Sequence, residues 1–181
     1  IPTYSCISYR TGSNSHCLLS CFDSNKKFLF IQKNGQVVFR AMLRLTKGSY
    51  ADDMHRKKIQ FADLSNLDET KDEEGEELVL FLERYYEKNL SCEELDAAVN
   101  LAIETAKEKA NKLGARFVLS TYYQYNVRTN EYIKSSYYLY ISKSKNGSQY
   151  LDSLFGSASV TDSGCYGKNL FLMENKSKRA A

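Results

Sequence analysis

The chain reads as an α/β (α+β) protein in which one long helix packs on a mixed, mostly antiparallel sheet. Three observations predict that class. Two apolar runs flank Asn34-Gly35, a short apolar run fills residues 78–82, and a capped helical stripe ends at Gly114 before a further apolar run. The hairpin predicts antiparallel pairing. Strand, helix and strand in succession predict a parallel crossover.

Length and composition bound the answer. With 181 residues, 43% hydrophobic and 26% charged, the chain suits one domain over residues 1–175 and a disordered basic tail at 176–181. A net charge of +3 is too small to imply nucleic acid by itself. No apolar run approaches the roughly 18 residues that cross a bilayer, so no membrane is expected. The start at Ile1 shows no basic segment followed by an apolar one, so no signal peptide is expected there, and it lacks a methionine. A fragment of a larger protein or a processed product is therefore expected. Five scattered cysteines, an odd number, read as reduced thiols of a cytoplasmic protein.

Along the chain, residues 3–10 alternate weakly as a first strand, residues 11–15 form a loop, and residues 16–22 are a short apolar stretch. Residues 27–32 and 37–45 are the hairpin strands, because a type I′ turn needs positive φ at both central residues and Asn-Gly supplies it. Val37, Phe39, Ala41, Leu43 and Leu45 fall on one face, expected to be the core side; Val38, Arg40, Met42 and Arg44 fall on the other. Residues 47–58 read as a loop, 59–61 as a short strand, and the acidic run 68–77 as a solvated loop. Residues 78–82 read as a buried strand.

The helix starts at Ser91, with Glu94 completing a capping box. Leu95, Val99, Ala102, Ala106, Ala110 and Leu113 recur at helical spacing and should face the sheet. Gly114 is a left-handed stop, and residues 115–123 return as a strand. Two more strands are expected at 133–141 and 169–173, separated by a turn at 145–148 and a Ser/Gly-rich loop at 153–167. Fourteen tyrosines stand against no tryptophan, nine of them from Tyr122 onward. They predict a sheet with one partly solvated face, or a recognition surface.

This order of elements resembles the GNAT N-acetyltransferase fold over residues 26–142. The run Ala106-Lys107-Glu108-Lys109-Ala110-Asn111-Lys112-Leu113-Gly114-Ala115-Arg116-Phe117-Val118-Leu119 is similar to that family's helix and following strand. The resemblance implies a coenzyme A pyrophosphate cradle of the type Gln/Arg-x-x-Gly-x-Gly/Ala between strand and helix. Here Arg84 is followed by Tyr85, Tyr86 and Glu87, and the helix opens on Glu93-Glu94. Without glycine, and with carboxylates that repel a diphosphate, the loop predicts a degenerate copy that binds no acetyl-CoA and no other cofactor. No catalytic residue carries over.

Other constellations offer candidates. Tyr85, Tyr86 and Tyr138 are the general acids an acyltransferase with a non-standard donor site would use. Cys165 in Gly164-Cys165-Tyr166-Gly167 is the thiol nucleophile to weigh. His16, Cys17 and Cys21 lack the paired spacing of a metal site, and buried thiols are the simpler reading. Arg40 and Arg44, with Lys27 nearby and tyrosines interleaved, would form a basic patch able to stack single-stranded nucleic acid. The functional expectation is an interaction or accessory module. Its contact surface would be Arg40, Arg44, Tyr137, Tyr138 and Tyr140 with the acidic loop, and its partner another protein or other domains of its parent chain.

Overall fold

Asn34 (φ 52°) and Gly35 (φ 74°) both take the left-handed backbone of a type I′ turn and join β1 (Lys26–Lys33) to β2 (Gln36–Tyr50). The computed structural model describes residues 12–50, 76–126, 131–155, 160–161 and 164–173. Pairing of β1 with β2 runs from Lys26↔Arg44 to Lys33↔Gln36, with a shift between Ile31 and Gln32. On its other edge β2 carries β3 (Glu77–Leu82) and the two-residue β4 (Tyr86–Glu87).

α1 (Cys92–Leu113) then crosses to β5 (Arg116–Leu119), which lies parallel to β3. Both caps are present. Ser91 Oγ accepts from Glu94 N at 3.2 Å and Glu94 Oε2 from Ser91 N at 3.1 Å, while Gly114 closes the helix at φ 63°. Both ends were therefore legible from local chemistry.

β5 pairs with β9 (Gly164–Met173) and β9 with β6 (Tyr132–Ile141), both antiparallel. Residues 47–50 of β2 then pair with β6, from Lys47↔Tyr140 to Tyr50↔Tyr137. The order β2-β3-β5-β9-β6 thus returns to β2, and five strands close into a barrel with β1 left outside it. Gly48 makes that seam possible. A Cβ there would lie 2.5 Å from the Tyr137 ring and 2.8 Å from the Tyr138 carbonyl oxygen. β7 (Gln149–Tyr150) and β8 (Val160–Thr161) pair separately, and the single-turn α2 (Asp152–Phe155) lies between them.

Two cores follow from the two faces of the curved sheet. Outside, Ala98, Val99, Ala102, Ile103, Ala106 and Ala110 of α1 pack on Phe39, Ala41, Leu43, Leu80, Leu82, Phe117 and Leu119. Inside, Val79, Phe81, Val118, Tyr137, Leu139, Ile141, Leu170 and Leu172 fill the barrel, closed by Leu151 and Leu154. The alanines let α1 sit close to the sheet.

Several expectations are corrected. Residues 47–50 continue β2 rather than starting a loop, because β6 supplies their partners. The stretch expected as irregular at 153–167 includes α2, β8 and the start of β9, whose Gly164–Met173 strand finds its full ladder on β6. β5 stops at Leu119, and Ser120 caps a short 3₁₀ turn over Thr121–Tyr123. Leu113 is exposed, lying past the end of the sheet-facing stripe. The expected strands at 3–10 and 59–61, the tail at 176–181 and the acidic run up to Gly75 lie outside the described residues. Of that run's end, Glu77 pairs with Arg116 and Glu76 lies 3.5 Å from Lys47.

Candidate functional site

The loop between β3 and α1 is where a phosphate cradle would sit, and four of its amides are engaged within the chain. Glu83 N donates to Met42 O at 2.9 Å, Arg84 N to Ser153 Oγ at 2.7 Å, Lys88 N to Val38 O at 2.9 Å and Ser91 N to Glu94. β4 stitches the loop onto β2 through Phe39↔Glu87 and Arg40↔Tyr86. Lys33 also bonds Glu94, holding its carboxyl below the ordinary glutamate range at the helix entrance. β3 and β5 stay paired from Val79↔Arg116 to Leu82↔Leu119, and Ser120 N still reaches Leu82 O at 3.1 Å. No wedge opens between these strands over those residues.

On the even-numbered face of the hairpin lies a row of aromatic rings and cations. Phe22 meets Phe28 with ring centroids 5.8 Å apart, and Phe28 stacks on Phe30 at 5.5 Å. Phe30 stands opposite Arg40, whose guanidinium covers the Tyr86 ring at 4.9 Å. Arg84 lies over Tyr86 at 5.1 Å and over Tyr122 at 4.5 Å. Phe22 is 68% exposed and Phe30 56%, and Leu19 extends the apolar end at 64%. The 3₁₀ turns Ser15–Cys17 and Leu19–Phe22 place Leu19 and Phe22 there by burying Cys17, Ser20 and Cys21 on their inner side.

Behind this row is a buried polar network. Lys26 Nζ donates to Ser20 O, to Asp23 Oδ2 at 3.0 Å and to Gln149 Oε1 at 2.6 Å. Three acceptors match the three protons of an ammonium, so Lys26 is charged, although burial and the neighbouring Arg44 guanidinium lower its pKa from the ordinary lysine value. Arg44 Nε donates to Glu83 Oε1, and its Nη1 to the same Gln149 oxygen at 3.0 Å. Arg44 Nη2 is buried without a hydrogen-bond partner. Burial pushes the Cys21 thiol up to about 11 against the opposing Lys26 charge, so it is a protonated, poor nucleophile.

Three of the five residues expected on the contact surface are buried. Arg44, Tyr137 and Tyr140 are buried: Arg44 and Tyr137 point into the barrel that β6 closes, and Tyr140 packs its hydroxyl 3.1 Å from Ser49 Oγ. Tyr138 is half-buried beside Ser49 in register. Arg40 alone joins the exposed row. Among the acid candidates, Tyr85 stacks on Phe39 and tilts on Tyr123 as core, and Tyr86 lies under Arg40 and Arg84. Cys165 sits in β9 in register with Tyr140. Cys21 Sγ donates to Cys17 O, and no group of three metal-ligating side chains occurs among the described residues, His16, Cys17 and Cys21 included.

Sequence reasoning missed Phe22, Phe28, Phe30, Arg84 and Tyr122 as a cluster. Period-two alternation puts Phe28 and Phe30 on one face, but Leu29 and Ile31 are as apolar, so pattern alone does not say which pair faces out. No family model, curated protein or solved structure matches the chain. Among the described residues no helix is long and apolar enough to cross a membrane.

Proposed function

We propose that this chain is a non-catalytic interaction module, a GNAT-like order of elements whose donor site is gone. Its contact surface is the aromatic and arginine row on the β1–β2 hairpin. One observation carries the reading: the amides of Glu83, Arg84, Lys88 and Ser91 all bond within the chain, at the place where a coenzyme diphosphate would need them. The uninterrupted pairing of β3 with β5 and the acidic helix entrance support it. The partner is another protein, a further domain of a parent chain, or a nucleic acid.

The test is a thermal-shift titration with acetyl-CoA. A donor present at about a hundredfold over its Kd stabilises by ~2.7 kcal/mol, roughly 5–10 °C for a chain of this size. No shift is expected. A saturable rise in Tm restores an acyltransferase and ends this reading.

A further inference from the structure

We propose that residues 142–155 form a strap that opens as one unit while the barrel stays closed, and that Gln149 is the pin that holds it shut. The proposal is independent of the module reading above and concerns the inner core that Leu151 and Leu154 complete.

The strap has no place in the ladders of the barrel. β6 and β9 pair along ten residues each, and β3 is flanked by β2 and β5. β7 pairs instead with β8, through Gln149↔Thr161 and Tyr150↔Val160, in a two-stranded sheet of its own. α2 is a single turn in which Leu154 N donates to Leu151 O at 3.0 Å. One helical turn and a two-residue ladder do not persist in water without tertiary support. Order in the strap therefore depends on what anchors it to the rest of the chain.

The anchors are of two kinds. Leu151 and Leu154 are buried in the inner core. The others are polar and reach the segments around the base of the hairpin. Ser20 Oγ donates to Ser148 O at 2.8 Å, and Ser153 Oγ accepts from Arg84 N at 2.7 Å. Ser144 Oγ and Asn146 Nδ2 donate to Asp23 Oδ1 at 2.9 and 2.8 Å. At the centre Gln149 is 1% exposed, and its Oε1 accepts from Lys26 Nζ at 2.6 Å and from Arg44 Nη1 at 3.0 Å. Its Nε2 donates to Ser142 O at 2.9 Å, which ties the strap to itself. Hydrogen bonds from charged donors are the stronger ones, and this one amide oxygen takes two. Gly147, at φ 128°, lets the strap pass close to the Ser15–Cys17 turn, where an added Cβ would collide with His16 O.

This attachment makes opening local. Lifting the strap breaks side-chain contacts and uncovers two leucines, but it unpairs no strand of the barrel. Water then takes the place of the Gln149 oxygen on Lys26 and Arg44, which offsets part of the loss. Separating β3 from β5 would instead break a ladder inside both cores. The strap also links the base of the hairpin to the inner core, since its polar anchors arise from residues 20–26, Arg44 and Arg84.

The experiment is hydrogen exchange of the full chain at neutral pH, read by mass spectrometry on peptides from 142–155, β3 and β5. In the parent chain 142–155 is expected to exchange at least about tenfold faster than the two strands. Gln149→Met keeps the length of the side chain and loses its amide. It is expected to speed exchange in 142–155 about ten- to a hundredfold and to leave β3 and β5 unchanged. Ser153→Ala should speed the same peptides severalfold, and it carries the test where Gln149→Met does not fold by circular dichroism. The proposal falls if 142–155 exchanges at the rate of β3 and β5 in the parent chain, because strap and barrel are then one unit. It falls equally if the substitutions accelerate all three segments alike. A folded Gln149→Met chain whose 142–155 peptides keep the parent rate overturns the assignment of Gln149 as the pin.

Discussion

Arg44 Nε donates to Glu83 Oε1 at 2.6 Å, with the two side chains only 2% and 4% exposed. The pair sits where the β1–β2 hairpin leaves the barrel, and Gln149 bridges Arg44 to Lys26. Removing one charge from such a pair strands the other in a medium that solvates it poorly. Arg44→Met is therefore expected to destabilise by about 3–5 kcal/mol, read from urea unfolding. Arg44→Met with Glu83→Leu should recover most of that loss, since the pair itself is a weak net stabiliser. A single substitution costing under about 1 kcal/mol would mean that the site rehydrates freely.

Gly48 sits at the seam where β2 and β6 close the barrel. The nearest atoms to an added Cβ include the Tyr138 carbonyl oxygen at 2.8 Å, a backbone atom held in the β2–β6 ladder. Relief requires the strands to part. Gly48→Ala is expected to cost at least about 1–3 kcal/mol and to speed hydrogen exchange at residues 47–50 and 137–140 ahead of α1. Exchange that accelerates uniformly across the chain would show that the seam is not a separate unit.

The contrast between Gly114 and Gly48 shows what the sequence exposes and what it conceals. Ser91, Glu94, Gly114 and the Asn34-Gly35 turn act through bonds to residues within a few positions, so their roles are legible locally. The β2–β6 seam pairs residues some ninety positions apart, non-local contacts that cost chain entropy to close, and no local pattern marks Lys47 or Ser49 as strand. Closure also inverts the meaning of alternation. The even face of β2 looks polar and hence solvated, but once the barrel forms Arg44 points into it and needs Glu83 and Gln149. The same closure buries Tyr137, and the rings left exposed include Phe30 on β1, which alternation alone left unassigned.

The caps of α1 provide an independent measure of its contribution. Ser91→Ala removes the acceptor for Glu94 N, and Gly114→Ala forces a side chain onto backbone at φ 63°. Each is expected to cost ~1 kcal/mol. The two sites lie at opposite ends of a 22-residue helix, so the double variant should be additive within about 0.5 kcal/mol. A strongly sub-additive result in chemical denaturation would mean that α1 frays as a whole in the native state.

Acid sensitivity should trace to Asp23. Its Oδ1 accepts from Ser144 Oγ at 2.9 Å and Asn146 Nδ2 at 2.8 Å, and its Oδ2 from Lys26 Nζ. Burial alone would raise its pKa, but the hydrogen bonds from Lys26, Asn146 and Ser144 and the Lys26 charge outweigh that and hold it below the ordinary aspartate value. The unfolded chain, with the higher pKa, takes up the proton first as pH falls. The stabilisation from Asp23 is thus complete above the ordinary carboxylate value and is lost as pH drops through the lower folded value. Asp23→Asn should lower stability at neutral pH, because Lys26 loses its counter-charge, and should flatten the decline of the urea midpoint below about pH 4. An acid limb as steep in Asp23→Asn as in the parent chain would assign the sensitivity to other carboxylates and detach Asp23 from the network that anchors the hairpin.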